Sequence, residues 1–352
     1  MRDIAVESRL SHRVTVKDLA RQLGLSVSTV SRAFYEDAVI ASDTRAKVLQ
    51  RAAEIGYRPN PFARGLITKS TRIVGVVVSD ITNPFYPEVL IGLTEQLQAI
   101  DFNVMLVVTN KSRNENEAVH GLLSYHPDVI IIVATTLSSI SSEACRKVGT
   151  PVIFFNRHDS DAHSFAVTCD NVRGGRDVAD HLIDRGHRRL AFIAGRPDAS
   201  TNVDRWRGFS SRCIERKLSP PSILGGKSFS YEDGYATALK LLERRDRPEA
   251  IFCANDILAV GALDAARRKL GLDVPEELSI VGFDDISMAS WPSHALTTVR
   301  QPKTAMIRRT TQLALALSRN EAGQPALQQI PGELIERNTT RFVHQKLVRS
   351  RR

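Results

Sequence analysis

Along residues 15–35, TVKDLARQLGLSVSTVSRAFY, apolar side chains recur at Val16, Leu19, Ala20 and Leu23. That i, i+3, i+4, i+7 spacing predicts one buried face of a helix. Thr15 stands where an N-cap is expected, and Gly24 where a left-handed C-cap is required. Ser26 then opens a second helix with Val30, Ala33 and Phe34 on its inner side. The turn between them is about three residues, a length that sets two helices at a steep angle. A third helix is predicted from Thr44 to Ile55, with Ala46, Val48, Leu49, Ala52, Ala53 and Ile55 as its apolar set and Gly56 at its end.

From Arg72 the pattern changes to short, continuous apolar runs alternating with helical stretches. The runs are IVGVVV (73–78), FNVMLVV (102–108), DVIIIV (128–133), PVIFFN (151–156) and SFAVTCD (164–170). A second round follows: RRLAFIAG (188–195), a strand and loop at ILGGKSFS, AIFCAND (250–256), LSIVGFDD (278–285) and LTTVRQP (296–302). Helices are predicted near Tyr86–Ile100, from about Asp204, near Tyr231–Leu242 and up to Leu270. Apolar strands alternating with helices imply parallel sheets covered on both faces. Two rounds with no long linker imply two similar lobes with a cleft between them.

Composition narrows the class. The chain has 352 residues and 42% apolar content, enough for two or three units. Its four cysteines, Cys145, Cys169, Cys213 and Cys253, show no CxxC spacing, which argues against a zinc site or a disulfide framework and fits a reducing cytosol. The first residues, MRDIAVESRLSHR, lack an apolar signal core, and no apolar run nears the ~18 residues of a membrane span. A cytoplasmic protein is expected. The formal charge of +9 is uneven: residues 1–72 hold 13 basic and 7 acidic side chains, and residues 337–352 hold 6 basic and no acidic ones. A basic head on a mildly acidic body suggests that the head meets a polyanion. The terminal VRSRR reads as a solvated tail.

The helical pair in the head is a helix-turn-helix, which lays its second helix in a DNA major groove. The outward positions of that helix are Val27, Ser28, Thr29, Ser31 and Arg32. Val27 and Ser28 are expected at base edges, with Val27 against a thymine methyl. Arg32 suits a bidentate contact with guanine, and Thr29 and Ser31 suit phosphates. Thr15 and Ser26, the caps, complete the candidate DNA-binding set in the head. The alternative for this segment is a helical hairpin that binds protein. The stretch PNPFARGL (59–66) starts like a helix, with Asn60 as cap and Pro61 at the first position. It spans about two turns and contains Gly65, so alone it is marginal.

These segments, TVKDLARQLGLSVSTVSRAF and DTRAKVLQRAAEIGYRPNPFARGL, resemble the DNA-binding head and hinge of the lactose-repressor/galactose-repressor family. The resemblance extends from about Val14 to Arg341 through VGVVVSDITNPFY, HLIDRGHRRLAFIAG, DRWRGF, AIFCANDILAVGAL, LSIVGFDD and LTTVRQP. It implies a homodimeric transcription regulator, most simply a repressor, on a pseudo-palindromic double-stranded DNA operator. It implies a three-helix head (14–58), a hinge helix (59–71), a two-lobed periplasmic-binding-protein-like body (72–341) whose chain crosses three times between lobes, and a basic tail (342–352). It also implies a hinge that orders on the operator, with Leu66 as a minor-groove wedge, Ala63 at the hinge–hinge or minor-groove contact and Asn60 as the cap. An apolar wedge kinks DNA by unstacking a base step. Gly65 departs from the family's better helix formers and predicts a hinge harder to order. Ala41 stands where a capping Ser is common, leaving Ser42 or Asp43 as the expected cap.

In open α/β sheets, ligands bind beyond the carboxyl ends of the strands. The residues there are Ser79, Asp80, Asn83 and Phe85; Asn156 and Arg157; Thr201, Asn202 and Arg205; Phe229; Asn255 and Asp256; Asp284; and Gln301. Asn, Asp and Arg offer directed hydrogen bonds, and Phe can cover a ring face, the chemistry of a sugar, polyol or nucleobase site. Taken singly, an Asp or Asn after a strand often only caps the next helix. The resemblance implies effector contacts at Arg205 and Asp284 most regularly, and at Thr201, Phe229, Asn255 and Gln301 in some members. Asn156, Ser79, Asn83 and Phe85 complete the expected effector set. Residues 226–228, Gly-Lys-Ser, imitate the end of a phosphate-binding loop, but the required glycine is Pro221. No GxSxG, HExxH or GxGxxG stands in the right setting, so no enzyme is expected and no cofactor is called for. The other reading of the body, a solute-binding protein of a transporter, is opposed by the basic head.

Overall fold

The structure is a computed structural model, and it describes residues 14–35, 38–59, 70–79, 81–109, 115–133, 139–158 and 164–341. The chain forms two compact units, residues 1–71 and 72–352.

The first unit holds α1 (Val16–Leu23), α2 (Val27–Ala33) and α3 (Ser42–Glu54). Leu19, Ala20, Val30, Ala33, Val48 and Ala52 form its buried core, with Val16, Leu23, Phe34 and Tyr57 packed around them. The ends of α1 and α2 are fixed locally. Thr15 and Asp18 cap each other reciprocally, the capping-box arrangement that satisfies two otherwise orphaned N–H groups. Gly24 takes φ 63°, a left-handed conformation that would strain most other residues. The start of α3 differs from expectation. It begins at Ser42, two residues early, on Ala41, and no side chain caps it. Ser42 donates to Asp43 instead, so neither serves the backbone. Its apolar set is also narrower: Val48 and Ala52 are buried and Ile55 half-buried, while Ala46, Ala53 and Leu49 (43% exposed) face outward.

The second unit begins with β1 (Ile73–Val78), α4 (Phe85–Gln98), β2 (Asn103–Val108), α5 (Glu115–Leu123), β3 (Val129–Val133), α6 (Ser139–Lys147), β4 (Val152–Phe155) and β5 (Phe165–Cys169). It continues with α7 (Asn171–Asp184), β6 (Leu190–Ala194), α8 (Ser200–Glu215), β7 (Ser222–Gly225), α9 (Tyr231–Leu242), β8 (Ala250–Cys253) and α10 (Asp256–Asp264), which runs on as a π-turn over Ala265–Lys269. Then follow β9 (Ser279–Asp284), β10 (Thr297–Arg300), α11 (Lys303–Ser318), β11 (Leu327–Ile330) and β12 (Glu333–Ile335).

The strands make two six-stranded sheets, ordered β11-β5-β4-β3-β1-β2 and β12-β10-β9-β8-β6-β7. All pairings are parallel except β10 with β12. The chain passes between sheets three times: after β5, after β10 and after β11. The central strands β1, β3, β6, β8 and β9 are buried at every position, which explains why their apolar runs do not alternate. Helices α7 and α8 cross almost backbone to backbone. A Cβ added at Gly175 would lie 2.3 Å from the Arg205 carbonyl oxygen, and one at Gly208 would lie 2.0 Å from that of Val172. Small residues there let α8 sit deep enough to carry the side chain of Arg205 into the interior.

Candidate DNA-binding surface and ligand cleft

On the head, α2 presents Val27 at 42% exposure, with Ser28 and Arg32 exposed beside it and Thr29 and Ser31 half-buried. An exposed valine at the N-terminal end of a helix has no role in the core of the head and suits an apolar contact. Thr29 and Ser26 are bound to each other: the Ser26 hydroxyl accepts the Thr29 N–H at 3.0 Å, and the two hydroxyls lie 2.8 Å apart. Thr15 is likewise engaged with Asp18, Oγ1 donating to the carboxylate at 2.6 Å. The caps therefore stiffen the two helices first. Arg32 folds back on Ser28, its guanidinium donating to the Ser28 hydroxyl at 3.3 Å and carbonyl at 3.4 Å, a long and exposed pair of contacts that a guanine could replace. Asn60, Ala63 and Leu66 lie outside the described residues.

In the body, Asn83, Tyr86, Asn156, Arg157, Thr201, Arg205, Phe229, Asn255 and Asp284 line one cleft, about 320 Å³ with the open solvent at its mouth included. Asn83, Asn156 and Arg157 follow β1 and β4 of one sheet and Tyr86 opens α4; Thr201 and Arg205 lie on α8 after β6, and Phe229, Asn255 and Asp284 stand at or after the ends of β7, β8 and β9 in the other sheet. The cleft thus lies between the lobes, at strand carboxyl ends, where the topology requires it. Seven of the expected effector residues meet here: Asn83, Asn156, Thr201, Arg205, Phe229, Asn255 and Asp284.

Arg205 is the centre of the floor. It is 2% exposed, and its guanidinium lies 3.7 Å from the Phe283 ring centroid. Nε donates to Asn171 Oδ1 at 2.9 Å, one terminal nitrogen donates to the Ala254 carbonyl at 2.5 Å, and the other lies 3.4 Å from Asp284 Oδ1. Asp284 accepts from Gln301 Nε2 at 2.7 Å. Burial holds the Asp284 carboxyl above the ordinary carboxylate range, against the opposing pull of Arg205. Behind it, burial and the neighbouring Asp284 push Asp256 up to about 7. Asp256 accepts from the Thr298 hydroxyl at 2.6 Å and the Ile286 N–H at 2.9 Å. In the cleft lining, Asn156 Oδ1 and Arg157 Nε are buried without a hydrogen-bond partner among the described residues. Buried polar atoms left unpaired are costly, and a polar ligand in the cleft would supply partners for these two.

Three expected effector residues sit elsewhere. Phe85 is 1% exposed and belongs to the apolar core, its ring edge-on to Tyr86 at 5.3 Å; the next residue along the helix reaches the cleft instead. Gln301 stands behind Asp284 and orients it. Ser79 is half-buried and does not line the cleft, and Asp80 lies outside the described residues. Asn202 and Asp256 have structural roles, Asn202 accepting the Gly195 N–H at 2.8 Å. Asn255 both caps α10 and lines the cleft. Tyr86 was not anticipated; its position in the NPFY run, one residue past Phe85, was the available signal. Arg157 stands just after β4 and lies outside the expected effector set.

The four cysteines are all free and buried, without disulfides. Among the described residues no group of His, Cys, Asp and Glu could hold a metal ion, and no helix is long and apolar enough to cross a membrane.

A helix-turn-helix head followed by a two-lobed α/β body with a polar cleft defines a ligand-responsive DNA-binding regulator. Residues 15–60 match the model of the bacterial regulatory proteins of the lacI family, and residues 179–340 match that of the periplasmic binding protein-like domain. The transcriptional regulator DegA of Bacillus subtilis is 32% identical over 93% of this chain and 98% of its own. The solved lac repressor dimer, bound to operator and an anti-inducer, superposes with a TM-score of 0.82 at 26% identity, covering 94% of this chain and all of that one. A LacI-family regulator from Enterococcus faecium with bound ribose superposes with a TM-score of 0.70 at 28% identity, over 77% of this chain and all of that one. The chain belongs to the lacI family: it is a DNA-binding transcription regulator, not an enzyme.

Proposed function

We propose that this regulator acts in the cytoplasm as a homodimeric repressor on a pseudo-palindromic operator, and that a sugar-like effector held in the cleft sets its operator affinity. In the head, Val27, Ser28 and Arg32 read base edges, while Thr29 and Ser31 meet phosphates. Leu66 of the hinge wedges into the minor groove, with Ala63 beside it and Asn60 as cap. The lac repressor dimer on its operator supports the dimer and the two-fold site. Ribose in the Enterococcus relative supports a polyhydroxylated ligand.

The observation that carries the effector reading is the buried Arg205–Asp284 couple with unpaired polar atoms around it. Both charges are buried, so their geometry depends on what fills the cleft. A ligand that binds one lobe arrangement better shifts the population towards it, and only in proportion to that difference. The proposal is tested by selecting bound sequences from random duplexes with the full chain. A two-fold-symmetric site supports it, and a Leu66→Ala variant should lose that site in a gel shift. Recovery of an asymmetric site, or retention by the Leu66 variant, counts against it.

A further inference from the structure

The effector reading of the cleft leaves one charge unexplained. Arg157 follows β4 and is 4% exposed. Its Nε is buried with no hydrogen-bond partner among the described residues. Its guanidinium lies 5.9 Å from the Phe229 ring centroid, at the edge of cation–π range. The nearby carboxylates are taken. Asp198 is held by Arg196 at 2.5 Å, and Asp284 is shared between Arg205 and Gln301. The backbone after Arg157 is fixed to the other lobe, with the His158 N–H donating to the Ser200 hydroxyl at 3.0 Å and the His158 ring 2.8 Å from Asp204. At 4% exposure, Arg157 lies in the cleft wall and not in open water.

Two guanidinium groups and one carboxylate thus line the cavity. Burial pulls Arg157 below the ordinary arginine range, with Arg196 and Arg205 acting in the same direction and Tyr86 and Asp198 opposing. Hydroxyl groups could satisfy its N–H donors but would add no negative charge to that of Asp198, which Arg196 already holds. A carboxylate or phosphate would do both, since the planar guanidinium matches either in a bidentate pair.

Resting on the reading of the cleft as the effector site, we infer that it takes an anionic polyol, a sugar-sized molecule bearing a carboxylate or phosphate, and that Arg157 selects the anion. Asp284, Asn255 and Asn156 then face the hydroxyls, and Phe229 covers a ring face.

The test measures melting temperature and calorimetric affinity of the full chain with matched probes. These are glucose, galactose and ribose; glucuronate and galacturonate; glucose 6-phosphate and ribose 5-phosphate; and inorganic phosphate. At least one acid or sugar phosphate should raise the melting temperature and bind at least about 10-fold more tightly than its neutral parent. The arm that responds identifies carboxylate or phosphate. Arg157→Met should weaken that anion by about 100-fold and should melt no lower than the wild type without ligand. The inference is overturned if a neutral sugar equals its anion, if Arg157→Met changes anion affinity less than about 3-fold, or if no anion binds. Arg205→Met separates this outcome from the underlying reading. A neutral sugar lost in Arg205→Met but kept in Arg157→Met preserves the effector site and removes only the anion. A ligand kept in both variants removes both.

Discussion

Arg205→Met strips one charge from a buried pair while keeping side-chain length and contact with Phe283. The structure sets out what is lost. Two buried acceptors, Asn171 Oδ1 and the Ala254 carbonyl, lose donors at 2.9 and 2.5 Å, and Asp284 loses its cation at 3.4 Å. Removing one partner of a buried pair costs about 3–5 kcal/mol, and each orphaned acceptor adds roughly 1–3 kcal/mol. Two effects offset part of this. A thioether keeps some attraction to the aromatic ring. Asp284 can also take a proton, because burial already holds its pKa above the ordinary value and the loss of Arg205 raises it further. A net destabilisation of at least about 4 kcal/mol follows. A carboxyl raised in the folded state binds more protons folded than unfolded. Its stabilising contribution is therefore present at low pH and lost as pH rises through the folded value. The deficit of Arg205→Met should be larger at pH 8 than at pH 5. Urea unfolding at both pH values, followed by fluorescence of Trp206 on the same helix, measures it. With Asp284→Asn and the double variant, the cycle should give a coupling of about 1.5 kcal/mol or more. Additivity within about 0.5 kcal/mol, together with equal deficits at the two pH values, would refute the pairing.

Other consequences are simpler to check. Thr15→Ala removes a capping box and should destabilise the head by about 1 kcal/mol, read as reduced helicity on thermal melting. Arg32→Ala should cost about 1–3 kcal/mol at one base pair of each half-site, measured by competition among operator variants; a uniform loss over all sequences would make it a phosphate contact. Burial lowers His181 to about 4, so the unfolded chain binds the extra proton between that value and about 6.5. Stability should fall by up to about 3 kcal/mol as pH drops through this window, and His181→Gln should flatten the curve in urea titrations.

The head was legible because its signals are local. Thr15, Gly24 and Ser26 satisfy backbone groups within their own turns. The start of α3 was not, because Ala41 leaves no capping side chain to read, and Leu49 has the composition of a core residue without the burial. The central strands stood out as continuous apolar runs since both faces are covered. Strands β11 and β12 did not: they are four and three residues long and partly exposed, with no run of apolar positions. Helix α11 went unassigned too, with buried Thr310 and Thr311 diluting its apolar face. In the cleft, strand ends located most of the lining. What sequence could not separate was which member of an adjacent pair points inward. Phe85 and Tyr86 differ by one helical position and go to core and cleft. Asn255 and Asp256 likewise divide between the cleft and a buried network. The missing partner of Arg157 is a property of three dimensions alone, because only the fold decides which carboxylates are already engaged.

The central claim is that the cleft governs the head. It is measured most directly by fluorescence-anisotropy titration of a selected operator with the full chain, with and without a saturating cleft ligand, in the wild type and Arg205→Met. The account predicts a change in operator Kd of about 5-fold or more in the wild type and almost none in the variant. An operator affinity indifferent to the ligand, or altered equally in both proteins, would contradict it.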